Sequence, residues 1–145
     1  MDPHDHLIAD HNTLRSQAGH LNTLVGGDAE TLGGALENFQ AVVQKHFQQE
    51  DVYFRTLDDG NRIPVRGLVH QLRNDHAAVV FTLESLSIRL RKYGMNDDWR
   101  GRFNNLMNVL LPHLDQEENH LFPLGRSTLS AGELARITQV MQDSE

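Results

Sequence analysis

The sequence predicts an all-α protein, an up-down-up-down antiparallel four-helix bundle with a short fifth helix at its C-terminal end. Three observations carry this expectation. Apolar residues recur at helical spacing through four long segments, and a glycine or a polar turn closes each segment. Strand signals are nearly absent, with no sustained alternation and no Asn-Gly hairpin turn.

The first segment covers about residues 5–25, with Leu7, Leu14, Leu21 and Leu24 on one face and Gly26-Gly27 as its stop. The second runs over about 28–57 on the stripe Leu36, Phe39, Val43, Phe47 and Phe54, and Asp58-Asp59-Gly60-Asn61 breaks it. The third opens with Pro64 in its first turn and runs to residue 93 before Gly94, burying Leu68, Leu72, Val79, Leu83, Leu86 and Leu90. The fourth starts at Asn96, a good N-cap, with Asp97 and Asp98 in the turn that the helix dipole favours for acids. It is expected to reach about residue 124 and stop at Gly125, with a kink where Pro112 removes a backbone hydrogen bond. Ser130 and Glu133 form a capping box that starts a fifth helix over about 130–142. Short polar links force sequential helices to be antiparallel neighbours. All 145 residues fit one domain, 1–145, with the bundle over about 5–125.

Composition narrows the chemistry. A net charge of −7 without a basic stripe argues against a nucleic-acid partner. The absence of cysteine excludes disulfides, thiolate zinc sites and iron–sulfur clusters, so any metal must sit on nitrogen and oxygen donors. No run approaches the ~18 apolar residues that span a bilayer, and the polar Met-Asp-Pro-His-Asp-His start lacks a secretory pattern. A cytoplasmic location is the default expectation.

The chain repeats itself. Asp10-His11 in the first helix matches Asp75-His76 in the third, and His46-x-x-x-Glu50-Asp51 in the second matches His113-x-x-x-Glu117-Glu118 in the fourth. Between His11 and His46 the step is 35 residues, and between His76 and His113 it is 37. Residues four apart share a helix face, so each His-x-x-x-Glu pair aims two donors at one interior point. Antiparallel geometry returns His11 to the level of His46 and His76 to that of His113. Six side chains, His11, His46, Glu50, His76, His113 and Glu117, then converge on one layer. Burying two carboxylates and four imidazoles costs many kcal/mol unless something compensates. A pair of metal ions does so, and this mixed donor set suits iron or manganese, with zinc as a further option.

These residues resemble the hemerythrin/HHE cation-binding family. The family's order of His, His-x-x-x-Glu, His, His-x-x-x-Glu and then Leu-Phe-Pro is present as His11, His46 to Glu50, His76, His113 to Glu117, and Leu121-Phe122-Pro123. The resemblance spans about residues 5–125. It implies a pair of non-haem irons on those six residues, with Glu50 and Glu117 bridging. Two departures matter. Oxygen-carrying hemerythrins place a second histidine four residues after the first on the third helix, where this chain has Val80. They also place an aspartate five residues after the fourth-helix histidine, where this chain has Glu118 beside Glu117. The chain therefore looks closer to the bacterial type than to the oxygen carrier.

A coordination position left open by Val80 could be filled by Tyr53, seven residues after His46, or by His120, seven after His113, since both fall near the ligand face of an unbroken helix. A Tyr53 phenolate would favour redox turnover over reversible oxygen carriage. The other histidines receive plainer readings: His4 and His6 solvated in a frayed terminus, His20 and His70 on the surface. Asp51 and Glu118 are rotated about 100° off the ligand face and are expected outside the ligand shell or at the surface, and Asp10 and Asp75 are expected at the helix surface. With no signalling module beside the domain, the expected function is reaction of a di-iron centre with hydrogen peroxide (catalase-like) or dioxygen. The alternative is non-enzymatic binding or sensing of oxygen, nitric oxide or iron.

Overall fold

The computed structural model describes residues 2–60 and 63–143. Its helices are α1 (Pro3–Leu24), α2 (Ala29–Asp59), α3 (Ile63–Tyr93), α4 (Asp97–Gln116), α5 (Phe122–Thr128) and α6 (Ala131–Asp143), with a π-helical segment (Glu117–Leu121) joining α4 to α5. No strand occurs among the described residues. Among the described residues no helix is long and apolar enough to cross a membrane.

Side-chain caps set the starts. Asp2, Asp28 and Asn96 accept hydrogen bonds from the backbone N–H of His4, Thr31 and Trp99 respectively. Ser130 and Glu133 exchange the two bonds of the expected capping box, at 2.9 and 3.1 Å. Gly26 and Gly94 adopt φ of 93° and 73°, the left-handed backbone that ends α1 and α3. The break expected at Asn61 lies outside the described residues.

Each of α1, α2 and α3 packs on the next helix in the chain, and α1 meets α4 to close the bundle. Trp99 Nε1–H donates to the Leu86 carbonyl at 3.0 Å, tying the start of α4 to α3. The apolar core is in two parts. One cluster, including Leu14, Val43, Phe47, Val79, Leu110 and Leu114, fills one end. The other, including Leu7, Tyr53, Leu72, Leu121 and Phe122, fills the opposite end, where α6 adds Ile137 and Met141. In α1 and α3 the predicted donors sit between the two: His11 between Leu7 and Leu14, His76 between Leu72 and Val79.

The fourth helical run departs from expectation. It passes through Pro112 and does not stop at Gly125; the helical run reaches Thr128. Its irregularity is the π turn, in which the Phe122 N–H bonds to the Glu117 carbonyl. Gly125 is buried inside α5, where it works as a packing residue and not as a terminator.

Candidate metal centre

His11 comes from α1, His46 and Glu50 from α2, His76 from α3, His113 from α4, and Glu117 from the first residue of the π segment. All six are buried, with Glu50 and Glu117 completely inaccessible. His46 Nε2 and His76 Nε2 each lie 3.1 Å from Glu50 Oε1, while His11 Nε2 lies 3.4 Å from Glu50 Oε2. Glu117 Oε1 sits 3.3 Å from His11 Nε2 and 3.1 Å from His113 Nε2. The structure thus brings together the six residues that the repeat points to.

Of these close approaches only His11 Nε2 to Glu50 Oε2 is a hydrogen-bond pairing. Among the described residues His46 Nε2, Glu50 Oε1 and both carboxylate oxygens of Glu117 have no hydrogen-bond partner, although His46 Nε2 lies 3.1 Å from Glu50 Oε1 and Glu117 Oε1 lies 3.3 Å from His11 Nε2. His76 Nε2 and His113 Nε2 face one another at 3.1 Å, an approach that needs a proton or a cation between two lone pairs. Orphaned buried acceptors aimed at common points are costly by themselves and become favourable around a cation. The donor atoms form two groups, His11, His46, Glu50, Glu117 and Glu50, His76, His113, Glu117, each with its atoms within 4.8 Å of one another. Both groups use Glu50 and Glu117. The residues present fit metal binding.

The electrostatics agree. Burial opposes protonation of His11, but the carboxylates of Glu117 and Glu50 beside it outweigh that and raise its pKa to about 9. Burial likewise opposes protonation of His46, and the charge of Glu50 with the Asp10 contact raises it to about 9. Burial and the neighbouring Glu50 charge push Glu117 well above the usual carboxylate range. Glu50 is held well below that range, because the imidazoles around it, His46 foremost, overcome its burial. Two carboxylates sharing one dry layer cannot both ionise unless positive charge joins them.

The sequence expects Asp10 and Asp75 at the helix surface and Glu118 outside the ligand shell or at the surface; the structure sets all three carboxylates against the histidines. Asp10 Oδ2 lies 3.4 Å from His46 Nδ1, Asp75 Oδ2 lies 3.1 Å from His113 Nδ1, and Glu118 Oε2 lies 2.8 Å from His11 Nδ1. Each accepts the Nδ1 proton and turns Nε2 inward. In the duplicated Asp-His pair each aspartate serves the histidine of the next helix and not its own neighbour. His76 is the exception, and its Nδ1 has no partner among the described residues.

His120 does not join either donor group, and the hydroxyl of Tyr53 is paired elsewhere. His120 is exposed, because the π turn takes up an extra residue and later positions lose the phase of an unbroken α-helix. The Tyr53 hydroxyl instead lies 2.7 Å from His4 Nε2, and burial raises the phenol pKa, which opposes a phenolate. His4 is correspondingly not frayed; the Asp2 cap starts α1 early and His4 is fully buried. His6 is half-buried near Gln49 and Asp10, while His20 and His70 are exposed as expected.

A match decides the family. The hemerythrin HHE cation binding domain matches residues 2–125. The chain belongs to the hemerythrin HHE family. Neither a curated protein nor a solved structure matches it. As a member of that family the chain has a buried His/Glu cluster able to hold metal, and the hemerythrin domain ends within α5, so α6 lies beyond the matched residues.

Proposed function

We propose that this hemerythrin-like chain holds two iron ions on His11, His46, Glu50, His76, His113 and Glu117, and that it reacts with small oxidants, hydrogen peroxide first among them. The supporting observation is that the two four-residue donor groups share both carboxylates, which is what two adjacent cations bridged by Glu50 and Glu117 require. Bound iron would supply one-electron redox chemistry and an attachment point for peroxide or dioxygen.

The chain's own residues prepare that centre. Asp10, Asp75 and Glu118 hold the Nδ1 protons of His46, His113 and His11, keeping each Nε2 free for a metal. The apolar clusters on both sides exclude bulk water. Val80 supplies no third imidazole to the side held by His76 and His113, so an exogenous ligand has room there. A groove of about 1110 Å³ between α2 and α3, with Phe47, His76 and Val80 in its lining, offers a route inward. Turnover to water and dioxygen is favoured over carriage because the carrier's histidine is replaced by Val80.

The test begins with metal analysis of the purified protein. Two irons per chain and rapid oxygen evolution from peroxide are expected. Absence of metal would sink the reading. Inertness to peroxide together with a stable, reversible dioxygen adduct would replace turnover with ligand binding.

A further inference from the structure

Tyr53 is built into a second polar assembly. Its hydroxyl meets His4 Nε2 at 2.7 Å, and His4 Nδ1 meets Asp2 Oδ1 at 2.7 Å. Asp2 reaches solvent, with its side chain 38% exposed, whereas Tyr53 and His4 are fully buried. The chain of hydrogen bonds therefore runs from the interior to the surface. Its polarity is fixed: the Asp2 carboxylate can only accept, so His4 carries its proton on Nδ1, and the unprotonated Nε2 accepts from the Tyr53 O–H.

Two further features belong to this assembly. A Cβ added at Gly125 would overlap the Tyr53 hydroxyl and stand 2.9 Å from Cζ and 3.1 Å from His4 Nε2. A glycine inside a helix costs stability, and here its missing side chain is the space in which the phenol meets the imidazole. Phe122 links the assembly to the donor cluster. Its ring centroid lies 5.7 Å from that of Tyr53 and 5.7 Å from that of His11, on which it stacks at 26°.

We propose that Tyr53 is a redox-active residue that delivers one electron to the metal centre through the Phe122–His11 contact while passing its proton to His4. This rests on the di-iron reading only for the identity of the oxidant, an iron pair oxidised by peroxide. In the step the Tyr53 O–H bond breaks. One electron reduces the oxidant by one unit, and the proton moves along the existing hydrogen bond to Nε2. The products are a neutral phenoxyl radical on Tyr53 and an imidazolium on His4, which the Asp2 carboxylate stabilises. Excess oxidising power thereby leaves the buried ligands for a site with a proton exit.

The experiment has two arms. In the first, iron-loaded protein is mixed with hydrogen peroxide, freeze-quenched and examined by electron paramagnetic resonance. A tyrosyl signal is expected in the unmodified chain and in Tyr93→Phe, which removes the other tyrosine, and it is expected to vanish in Tyr53→Phe. In the second, metal-free protein carries a photo-oxidant on Ser127→Cys, a unique thiol because the chain has no cysteine of its own. Flash oxidation of Tyr53 should slow by on the order of a hundredfold in His4→Phe and lose its solvent-deuterium dependence. Asp2→Asn keeps a good helix cap and should slow the step in the same direction. A signal that survives Tyr53→Phe, or a flash rate indifferent to His4→Phe, overturns the proposal. If the chain binds no iron yet the flash arm behaves as stated, the relay stands and the di-iron reading falls. If it binds two irons and consumes peroxide with no radical on Tyr53, the relay falls and the di-iron reading stands.

Discussion

The carboxylate of Asp75 on α3 lies 3.1 Å from Nδ1 of His113 on α4. Its counterpart in the first half of the repeat, Asp10 on α1, lies 3.4 Å from Nδ1 of His46 on α2. Each aspartate holds one imidazole in the tautomer that leaves Nε2 for a metal. Asp75→Ala should therefore lower metal affinity by about 10–100-fold while leaving the helical fold intact. Competition with a chelator of known affinity, with circular dichroism as the control for folding, reads this out. Unchanged affinity would reduce Asp75 to a surface charge.

Protons and metal compete for the same atoms. In the metal-free protein His11 and His46 are raised to about 9 by the carboxylates around them. A histidine with a raised folded value stabilises the fold fully below its unfolded value, about 6.5, and that contribution is lost as pH climbs through 9. Metal-free stability should accordingly fall between about pH 6.5 and 9, and metal affinity should rise across the same window because fewer protons must be displaced. Urea denaturation of the metal-free chain and titration with zinc, a redox-inert probe, at several pH values measure both. Affinity independent of pH would mean that these histidines are not ligands.

How legible this site was follows from which geometry each residue obeys. His46 with Glu50 and His113 with Glu117 are fixed by the pitch of a single α-helix, so their spacing sufficed, and antiparallel closure added His11 and His76. The roles of Asp10 and Asp75 were hidden because a carboxylate about 100° off the ligand face of its own helix lies at the seam with the next helix, where only tertiary packing reveals its partner. His120 was misplaced because its phase was carried through an α-helix that is π-wound from Glu117 to Leu121. His4 was missed because a terminal histidine gives no sign that a tyrosine 49 positions away will take its Nε2.

Gly125 tests the packing behind the Tyr53–His4 bond. Gly125→Ala places a methyl group where the phenol oxygen stands, and overpacking of this kind costs about 1–3 kcal/mol. Tyr53→Phe removes that oxygen, so the double variant should lose less stability than the two single changes add up to. Thermal or urea unfolding of the four proteins closes the cycle. Strict additivity would mean that the helix moves aside and that the glycine is not reserved for the hydroxyl.

The two halves of the repeat differ at one matched pair. In the first half Arg15, four residues after His11, holds Glu118, which in turn holds His11 Nδ1. In the second half the corresponding residues are Val80, four after His76, and Asp51, one after Glu50; both line the groove of about 1110 Å³ beside His76. An uncharged short side chain replaces the arginine, and a carboxylate shorter by one methylene replaces the glutamate, so no clamp forms on His76. The side of the centre served by His76 should thus be the one that exogenous ligands reach. Val80→Arg adds the missing cation opposite Asp51 and fills the groove. Azide association with the iron-loaded protein, followed by stopped-flow absorbance, should slow severalfold while iron content stays unchanged. The mirror substitution Arg15→Val removes the clamp on the other side and should loosen His11 without speeding azide association through the groove. If Val80→Arg left the azide rate unaltered, ligands would have to reach the centre by another face of the bundle.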